Sequence, residues 1–235
     1  MIISQFPQRR TKNLLINAGF RVNQRNYVSG TATAAANEYT LDRWRVLVLG
    51  ESITFPALGA DNTITAPAGG VGQKIESLNI KGGVYTVNWQ GSATCKVNGV
   101  VRKTGESFVL DVDALVDVVF YGGAVNKPQL EMGSVQTEFE FVGIGEEFLK
   151  CQRFFFAVDG GLIFFLANGN DSLRYIGVSF PVKMRVLPSI YNFFSVPSYT
   201  LIDFEISEVG AALYCTGVQA TSTLRVDTAN FDAEI

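Results

Sequence analysis

Short runs of alternating apolar and polar residues, broken roughly every ten residues by Gly, Asn, Asp or Pro, dominate the chain. In Val84–Trp89 every second residue is large and apolar, namely Tyr85, Val87 and Trp89. Successive side chains of a strand point to opposite faces of its sheet, so this segment is predicted to be a half-buried strand whose three large residues face the core. Other runs are also rich in β-branched and aromatic residues, and the chain is therefore predicted to be all-β.

A tight hairpin is predicted at Asn98-Gly99, because both residues tolerate the positive φ angles that a type I′ turn between two apolar arms requires. Further strands are predicted over Ser107–Asp113 and Val116–Tyr121, and Gly122-Gly123 ends the second of them. The chain has 23 glycines and regular turn signals. These features predict a two-sheet β-sandwich or jelly roll.

One short helix is predicted within Gly145–Phe156, where Phe148, Cys151 and Phe155 recur at helical spacing and two glutamates occupy the first turn. A Gly-Ile-Gly connection precedes it, and a domain boundary is predicted there. The predicted organisation is an N-terminal anchoring arm (1–12), a jelly-roll domain (13–142) and a smaller, aromatic-rich β-sandwich domain (145–235).

The second half of the chain is unusually aromatic, with twelve of the 18 phenylalanines between Phe139 and Phe204. Consecutive aromatic residues in a strand point to both faces, so such a strand must be covered on both sides, by a second layer or by a neighbouring subunit. A homo-oligomer is therefore expected. The candidate interface residues are Phe154, Phe155, Phe156, Phe164 and Phe165.

The chain of 235 residues contains no histidine, which excludes Ser-His-Asp and Cys-His catalysis and His-ligated zinc. Its three cysteines, Cys95, Cys151 and Cys215, are far apart, so neither a thiolate metal site nor a disulfide framework is indicated. Carboxylate pairs occur, but neighbours in sequence rarely stand about 5 Å apart across a cleft, as a retaining glycosidase needs. We expect no enzyme activity, no catalytic residues, no cofactor and no metal.

Net charge is −3, yet residues 1–45 carry seven Lys or Arg against two Asp or Glu. No nucleic-acid-binding module accompanies this basic segment, so docking on an acidic protein surface is expected instead of nucleic-acid binding. The opening MIISQFPQRR has no apolar core of a secretory signal, and the longest apolar stretch, Leu162–Ala167, is far shorter than a membrane span. We expect a soluble protein made in the host cytoplasm and not inserted into a membrane.

Several motifs resemble known domains. Residues 13–25 (NLLINAGFRVNQR), 39–46 (YTLDRWRV) and 128–140 (PQLEMGSVQTEFE) resemble the opening and closing of a jelly-roll domain of tailed-bacteriophage virion proteins that is related to carbohydrate-binding modules. Residues 148–156 (FLKCQRFFF), 180–190 (FPVKMRVLPSI) and 231–235 (FDAEI) resemble the C-terminal domain of phage tail-fibre and receptor-binding proteins. Here Phe replaces the Tyr pair of that domain, and Ile replaces its last Leu.

The resemblance implies a virion structural protein, a trimer, with a tail-fibre or receptor-binding role and contact with a glycan of the host surface. A capsid decoration or head-fibre protein is the structural alternative, and a glycan hydrolase is the enzymatic one. The arm residues Arg9, Arg10 and Lys12 are predicted to anchor the protein to another virion protein.

Two sets of aromatic residues are candidates for ligand contact. Trp44 and Trp89 have the flat faces on which sugars stack, but large aromatic residues mostly fill interiors, so core packing is predicted for both. Tyr191, Asn192 and Tyr199 flank prolines in a stretch rich in turn formers. They are the predicted ligand-binding residues, although packing in the core or at a subunit interface is the alternative.

Overall fold

The computed structural model of the chain describes residues 12–56, 59, 62–165, 173–196, 200–216 and 223–234. Of these, only the backbone is described for 159–165, 173–176, 192–196, 200–204, 213–216 and 223–228. The predicted all-β fold is confirmed, with one α-helix, α1 (Ile144–Gln152), and one 3-10 helix (Ser77–Asn79) in the described residues. No helix within these ranges is long and apolar enough to span a membrane.

The strands fall into two groups, one before α1 and one after it. Those before it are β1 (Glu38–Tyr39), β2 (Arg45–Val46), β3 (Thr63–Ala66), β4 (Val71–Ile75), β5 (Lys81–Gln90), β6 (Thr94–Val97), β7 (Val100–Arg102), β8 (Glu106–Val112), β9 (Val116–Tyr121) and β10 (Gly123–Met132). Those after it are β11 (Phe155–Phe165), β12 (Leu173–Ser179), β13 (Ser189–Val196), β14 (Thr200–Ile206), β15 (Gly210–Thr216) and β16 (Thr223–Asp232).

The first of two compact units comprises Met1–Arg21 and Tyr27–Gly143. It is a sandwich of two antiparallel sheets, a six-stranded sheet in the order β1-β2-β4-β9-β6-β7 and a four-stranded sheet in the order β3-β10-β5-β8. From β3 to β10 the chain alternates between the sheets at every connection except the β6–β7 hairpin. That strand order is the jelly roll, as predicted.

Aromatic residues fill the space between the two sheets of this unit. Trp44 is fully buried, with ring centroids of Phe20 and Phe120 at 4.9 and 6.2 Å, and Trp89 packs edge-on against Phe120 at 5.6 Å. Both indoles have a polar partner, because Trp44 Nε1 donates to the Asn17 carbonyl and Trp89 Nε1 to the Ala93 carbonyl. The prediction that both tryptophans pack in the core is confirmed, so neither offers a ring to a ligand.

Local strand and turn predictions hold within this unit. Tyr85, Val87 and Trp89 of β5 face the core. In the predicted hairpin, β6 pairs with β7, and the φ angles of Asn98 and Gly99 are 49° and 78°, as a type I′ turn requires.

The opening and closing motifs of the jelly roll meet at one place. Asn13 Nδ2 donates to the Pro128 carbonyl (3.0 Å), and Asn13 Oδ1 accepts the amide of Leu130 (3.1 Å). Glu140 accepts the Asn13 amide at 2.8 Å. Since Asn13 is 6% exposed, these bonds replace water for a buried polar side chain. The residues that carry the resemblance here therefore close the sandwich.

The second unit comprises Ile144–Ile235 together with Val22–Asn26, a segment that the sequence analysis assigned to the first domain. It has two three-stranded antiparallel sheets, β11-β16-β13 and β12-β15-β14. Residues of both sheets share one core cluster, so this unit is also a sandwich. Phe180 and Phe231 are its central aromatic pair, with ring centroids 4.8 Å apart, and Phe156 packs on both.

The three motifs of the second half of the chain also meet in space. The Ala233 amide donates to the Phe154 carbonyl (2.7 Å), and the Arg185 amide donates to the Arg153 carbonyl (2.8 Å). Met184 is fully buried in the cluster that holds Phe231. Phe154, Met184 and Phe231 of these motifs therefore belong to the buried interior of the second unit.

Helix α1 is shorter than predicted and is oriented differently. It ends at Gln152, so Phe155 belongs to β11 and not to the apolar face of the helix. Cys151 is buried as expected, but Glu147 is also buried, whereas Phe148 is 40% exposed. An aromatic run at the start of a strand can place apolar residues at the same intervals as the apolar face of a helix. The spacing of Phe148, Cys151 and Phe155 therefore suggested a longer helix.

Candidate functional site

The outer face of the six-stranded sheet brings together charged and aromatic side chains from several strands of the first unit. Val116, Val118 and Phe120 of β9 point into the core, so the alternate residues of that strand point outward. The strands beside β9 contribute their own outward residues. We call this set the polar face: Tyr39, Arg45, Lys74, Lys96, Asp117, Val119 and Tyr121.

Strand register aligns these residues across the sheet. Tyr39 on β1 is opposite Arg45 on β2, and Arg45 is opposite Gly72 on β4. Gly72 is in turn opposite Val119 on β9, which is opposite Lys96 on β6. One row therefore runs over five strands. The cross-strand neighbours Lys74 and Asp117 lie on one side of this row, and Tyr121 lies on the other side.

Two glycines leave the middle of the polar face without side chains. A Cβ on Gly72 would lie 2.7 Å from the Val118 carbonyl oxygen, and one on Gly70 would lie 2.8 Å from the Tyr121 ring. Both distances are shorter than real Cβ contacts. Val119, 4% exposed, fills the space beside the glycines. The result is an apolar floor surrounded by charged and aromatic side chains.

Arg45 crosses this floor because β4 has no side chain at Gly72. Its guanidinium donates to Asp117 Oδ2 at 2.6 Å and to Asn37 Oδ1. The Arg45 side chain is only 5% exposed. Among the described residues, Arg45 Nε and Asp117 Oδ1 have no hydrogen-bond partner although both atoms are buried. Each partner of the ion pair therefore has one buried polar atom that makes no hydrogen bond within the described residues.

Tyr121 lies at the end of the polar face that is opposite the Lys74–Asp117 pair. Lys96 Nζ lies 4.8 Å from the centroid of its ring. Burial raises the pKa of the Tyr121 phenol, and the Asp117 carboxylate raises it further. The hydroxyl therefore stays protonated at neutral pH, where it can both donate and accept a hydrogen bond.

The predicted ligand-binding residues do not form one site in the described structure. Tyr191 is 37% exposed, and its hydroxyl accepts a bond from Arg25 at 3.2 Å. Asn192 is in β13, where only the backbone is described, and Tyr199 lies outside the described residues. Tyr191 thus contacts the Arg25 cluster of the second unit, which agrees with the packing alternative for that residue.

The predicted anchoring residues lie mostly beyond the described ranges. Arg9 and Arg10 are outside them, and Lys12 is their first residue. The Lys12 amide donates to Glu140 Oε2 at 2.6 Å. Lys12 therefore lies beside Glu140 of the jelly roll.

Two of the predicted interface phenylalanines are covered by the chain itself. Phe154 is 1% exposed and Phe155 is fully buried, so neither has surface to give to a neighbouring subunit. Phe156 is half-buried in the core cluster. Phe164 and Phe165 belong to β11, where only the backbone is described. Apolar residues of the second unit that are exposed include three of α1: Ile144 (53%), Phe148 (40%) and Leu149 (47%).

Comparison with protein families, with curated proteins and with solved structures finds no match for this chain. The part of the chain that the structure describes holds no group of three or more Asp, Glu, Cys or His side chains placed to bind a metal ion.

Sequence reasoning did not find the polar face. The alternation in β9 was sufficient to predict that Asp117 and Tyr121 share a side of that strand. It did not indicate which strands lie beside β9, and Arg45, 72 residues away in sequence, contacts Asp117 only because of that sheet order.

Proposed function

We propose that this chain is a structural protein of a tailed-phage virion, a tail-fibre or receptor-binding component that forms a homo-oligomer and contacts a glycan of the host surface. The polar face of the jelly roll is the proposed contact surface. No catalytic step is assigned to it, because its role is to bind.

The observation that carries the glycan part is the pair of half-buried aromatic side chains on the polar face, Tyr39 and Tyr121. A sugar ring has an apolar face that packs on aromatic or aliphatic surface and a rim of hydroxyl groups that need hydrogen-bond partners. The tyrosine rings supply the first kind of contact, and the half-buried ammonium groups of Lys74 and Lys96 can donate hydrogen bonds to the hydroxyl groups.

The virion part rests on the sequence motifs. They fall on residues that close the sandwich in the first unit, such as Asn13, and on core residues in the second, such as Met184 and Phe231. Motifs whose residues determine packing are expected to be shared by proteins that have the same fold. The occurrence of both sets of motifs in this chain therefore supports an architecture shared with phage fibre domains.

The exposed face of α1 supports self-association. Three apolar side chains of this helix, Ile144, Phe148 and Leu149, are at least 40% exposed, whereas Glu147, Cys151 and Gln152 are buried. An exposed apolar cluster of this kind is typical of surfaces that pack against another protein. A second copy of the chain is the proposed partner, and repeated binding sites would raise weak glycan affinities by avidity.

A glycan array probed with the full-length protein tests the proposal. We expect binding to a subset of saccharides, with at least a tenfold loss for Tyr121→Ala. Val109→Ala is the matched control, since Val109 is 71% exposed on the other sheet. Equal binding by Tyr121→Ala and the unaltered protein would refute the site assignment.

The location of the protein requires a separate experiment. Cryo-electron microscopy of intact virions should show its density on the tail. Density on the capsid lattice alone would favour the decoration or head-fibre alternative.

A further inference from the structure

We infer that the saccharide bound by the polar face is acidic, carrying a carboxylate or phosphate group that lies between Lys74 and Lys96. This inference rests on the proposed function, because it specifies the ligand of the same surface.

The charges of the polar face do not balance. Arg45 and Asp117 neutralise each other in a 2.6 Å ion pair. Lys74 and Lys96 remain, and no ion pair joins either of them to an acidic group of the described residues. The face therefore has an excess of two positive charges, on a chain whose overall formal charge is −3.

Nearby carboxylates are occupied by backbone amides. Glu38, which precedes Tyr39, accepts the Ala35 amide at 3.0 Å. Glu51 accepts the amide of Gly69, the residue before Gly70, at 2.8 and 2.9 Å. Backbone amides thus already satisfy oxygens of both carboxylates, and neither carboxylate forms an ion pair with Lys74 or Lys96.

Two lysines outside the polar face have acidic partners. Lys150 pairs with Glu146 at 2.9 Å, and Lys183 pairs with Glu208 at 2.6 Å. Lys96 instead contacts the Tyr121 ring, with 4.8 Å between Nζ and the ring centroid. A ligand whose ring stacks beside Tyr121 would thus bring a negatively charged substituent within reach of an ammonium group.

The geometry also separates this surface from a general basic patch. Lys74 and Lys96 lie on opposite sides of β9, on β4 and β6, with the Val119 floor between them. A flexible polyanion needs only charge, whereas a saccharide also needs the tyrosine ring. Binding should therefore depend on both the lysines and Tyr121.

The experiment uses the full chain and matched pairs of immobilised saccharides. The pairs are 3′-sialyllactose with lactose, trigalacturonate with galactotriose, and a phosphate-substituted oligosaccharide with its unsubstituted form. We expect the acidic member of at least one pair to bind more than fivefold better. The preference should weaken between 0.05 and 0.5 M NaCl, because the Debye length falls from about 14 Å to about 4 Å. The carboxylate and phosphate pairs distinguish the two sources of charge.

Two double variants with the same change in net charge provide the control. Lys74→Gln with Lys96→Gln should abolish the preference for the acidic member, whereas Lys81→Gln with Lys103→Gln, both exposed and outside the polar face, should leave it unchanged. Circular dichroism confirms that each variant is folded.

The outcomes are distinct. Equal binding of neutral and acidic members overturns the inference and leaves the proposed glycan contact standing. Equal loss of preference in both double variants also overturns it, because net charge and not the polar face would then be responsible. Binding to no saccharide of the panel overturns both this inference and the glycan contact on which it rests.

Discussion

The guanidinium of Arg25 lies flat on the ring of Phe155, with 3.8 Å between its central carbon and the ring centroid. Arg25 Nη1 also donates to Asp232 Oδ2 at 3.0 Å, and Nη2 is 3.7 Å from Glu234 Oε1. A residue near the start of the chain therefore covers the first strand of the second unit and binds the last described residues. The segment Val22–Asn26 thus covers the aromatic strand β11 at Phe155.

Replacing Arg25 should destabilise the second unit strongly. Its side chain is 10% exposed, and removal of one partner from a buried ion pair leaves the other uncompensated. Burial alone would lower the pKa of Arg25, but the Asp232 and Glu234 carboxylates raise it above the ordinary value, so the group stays charged. We expect Arg25→Met to reduce the free energy of unfolding by about 3 kcal/mol in urea denaturation.

Arg102 offers a matched control for that measurement. It also lies on a phenylalanine, with 4.4 Å to the Phe108 centroid, and pairs with Glu106 at 2.8 Å, but it is more exposed. Arg102→Met should cost less than about 1 kcal/mol, as solvent-exposed pairs do. Similar losses in the two variants would contradict the role assigned to burial at Arg25.

The contrast between these two arginines shows how far sequence could predict the fold. Asn98-Gly99, the β9 strand and the buried tryptophans follow from local pattern, and each was predictable. The bond from Arg25 to Asp232 joins residues 207 apart in sequence, and no local period encodes it. The same holds for Arg45 and Asp117, whose proximity depends on strand order, so the candidate site was the part that sequence alone could not locate.

Gly72 should be intolerant of any side chain. A Cβ there would meet the Val118 carbonyl oxygen and the Val119 side chain, at 2.7 and 2.8 Å, so the β4–β9 pairing must shift to accept it. Thermal unfolding of Gly72→Ala should show a loss of about 1 to 3 kcal/mol. Gly143→Ala is the control, because no atom lies within 4 Å of the corresponding position. A neutral Gly72→Ala would mean that the sheet is looser than described.

Alkaline pH should destabilise the first unit. Burial raises the pKa of the Cys95 thiol from 9.0 to about 12. The unfolded chain therefore loses this proton first, and the stability that the protonated thiol contributes is complete below pH 9 and is lost as pH rises towards 12. Tyr121 acts in the same direction, because burial raises its pKa as well.

Urea midpoints measured at pH 8, 9.5 and 10.5 check this expectation. Cys95→Ala removes the thiol and should flatten the decline, whatever its own effect on stability at pH 8. In the native protein at pH 8, Cys95 should also react with a thiol reagent far more slowly than in urea, since the thiolate is the reactive form. A steep decline that persists unchanged in Cys95→Ala would assign the pH dependence to other groups.

The exposed face of α1 makes self-association directly testable. A charge at the centre of an apolar contact must lose its hydration when the contact forms, so Phe148→Glu should dissociate the oligomer. Light scattering of the unaltered protein should give a multiple of 25.6 kDa, and the variant should give 25.6 kDa. Val109→Glu introduces the same charge at a more exposed position of the first unit and should leave the mass unchanged. A monomeric unaltered protein at micromolar concentration would instead show that α1 does not mediate self-association, and that any multivalency on the particle must come from its other components.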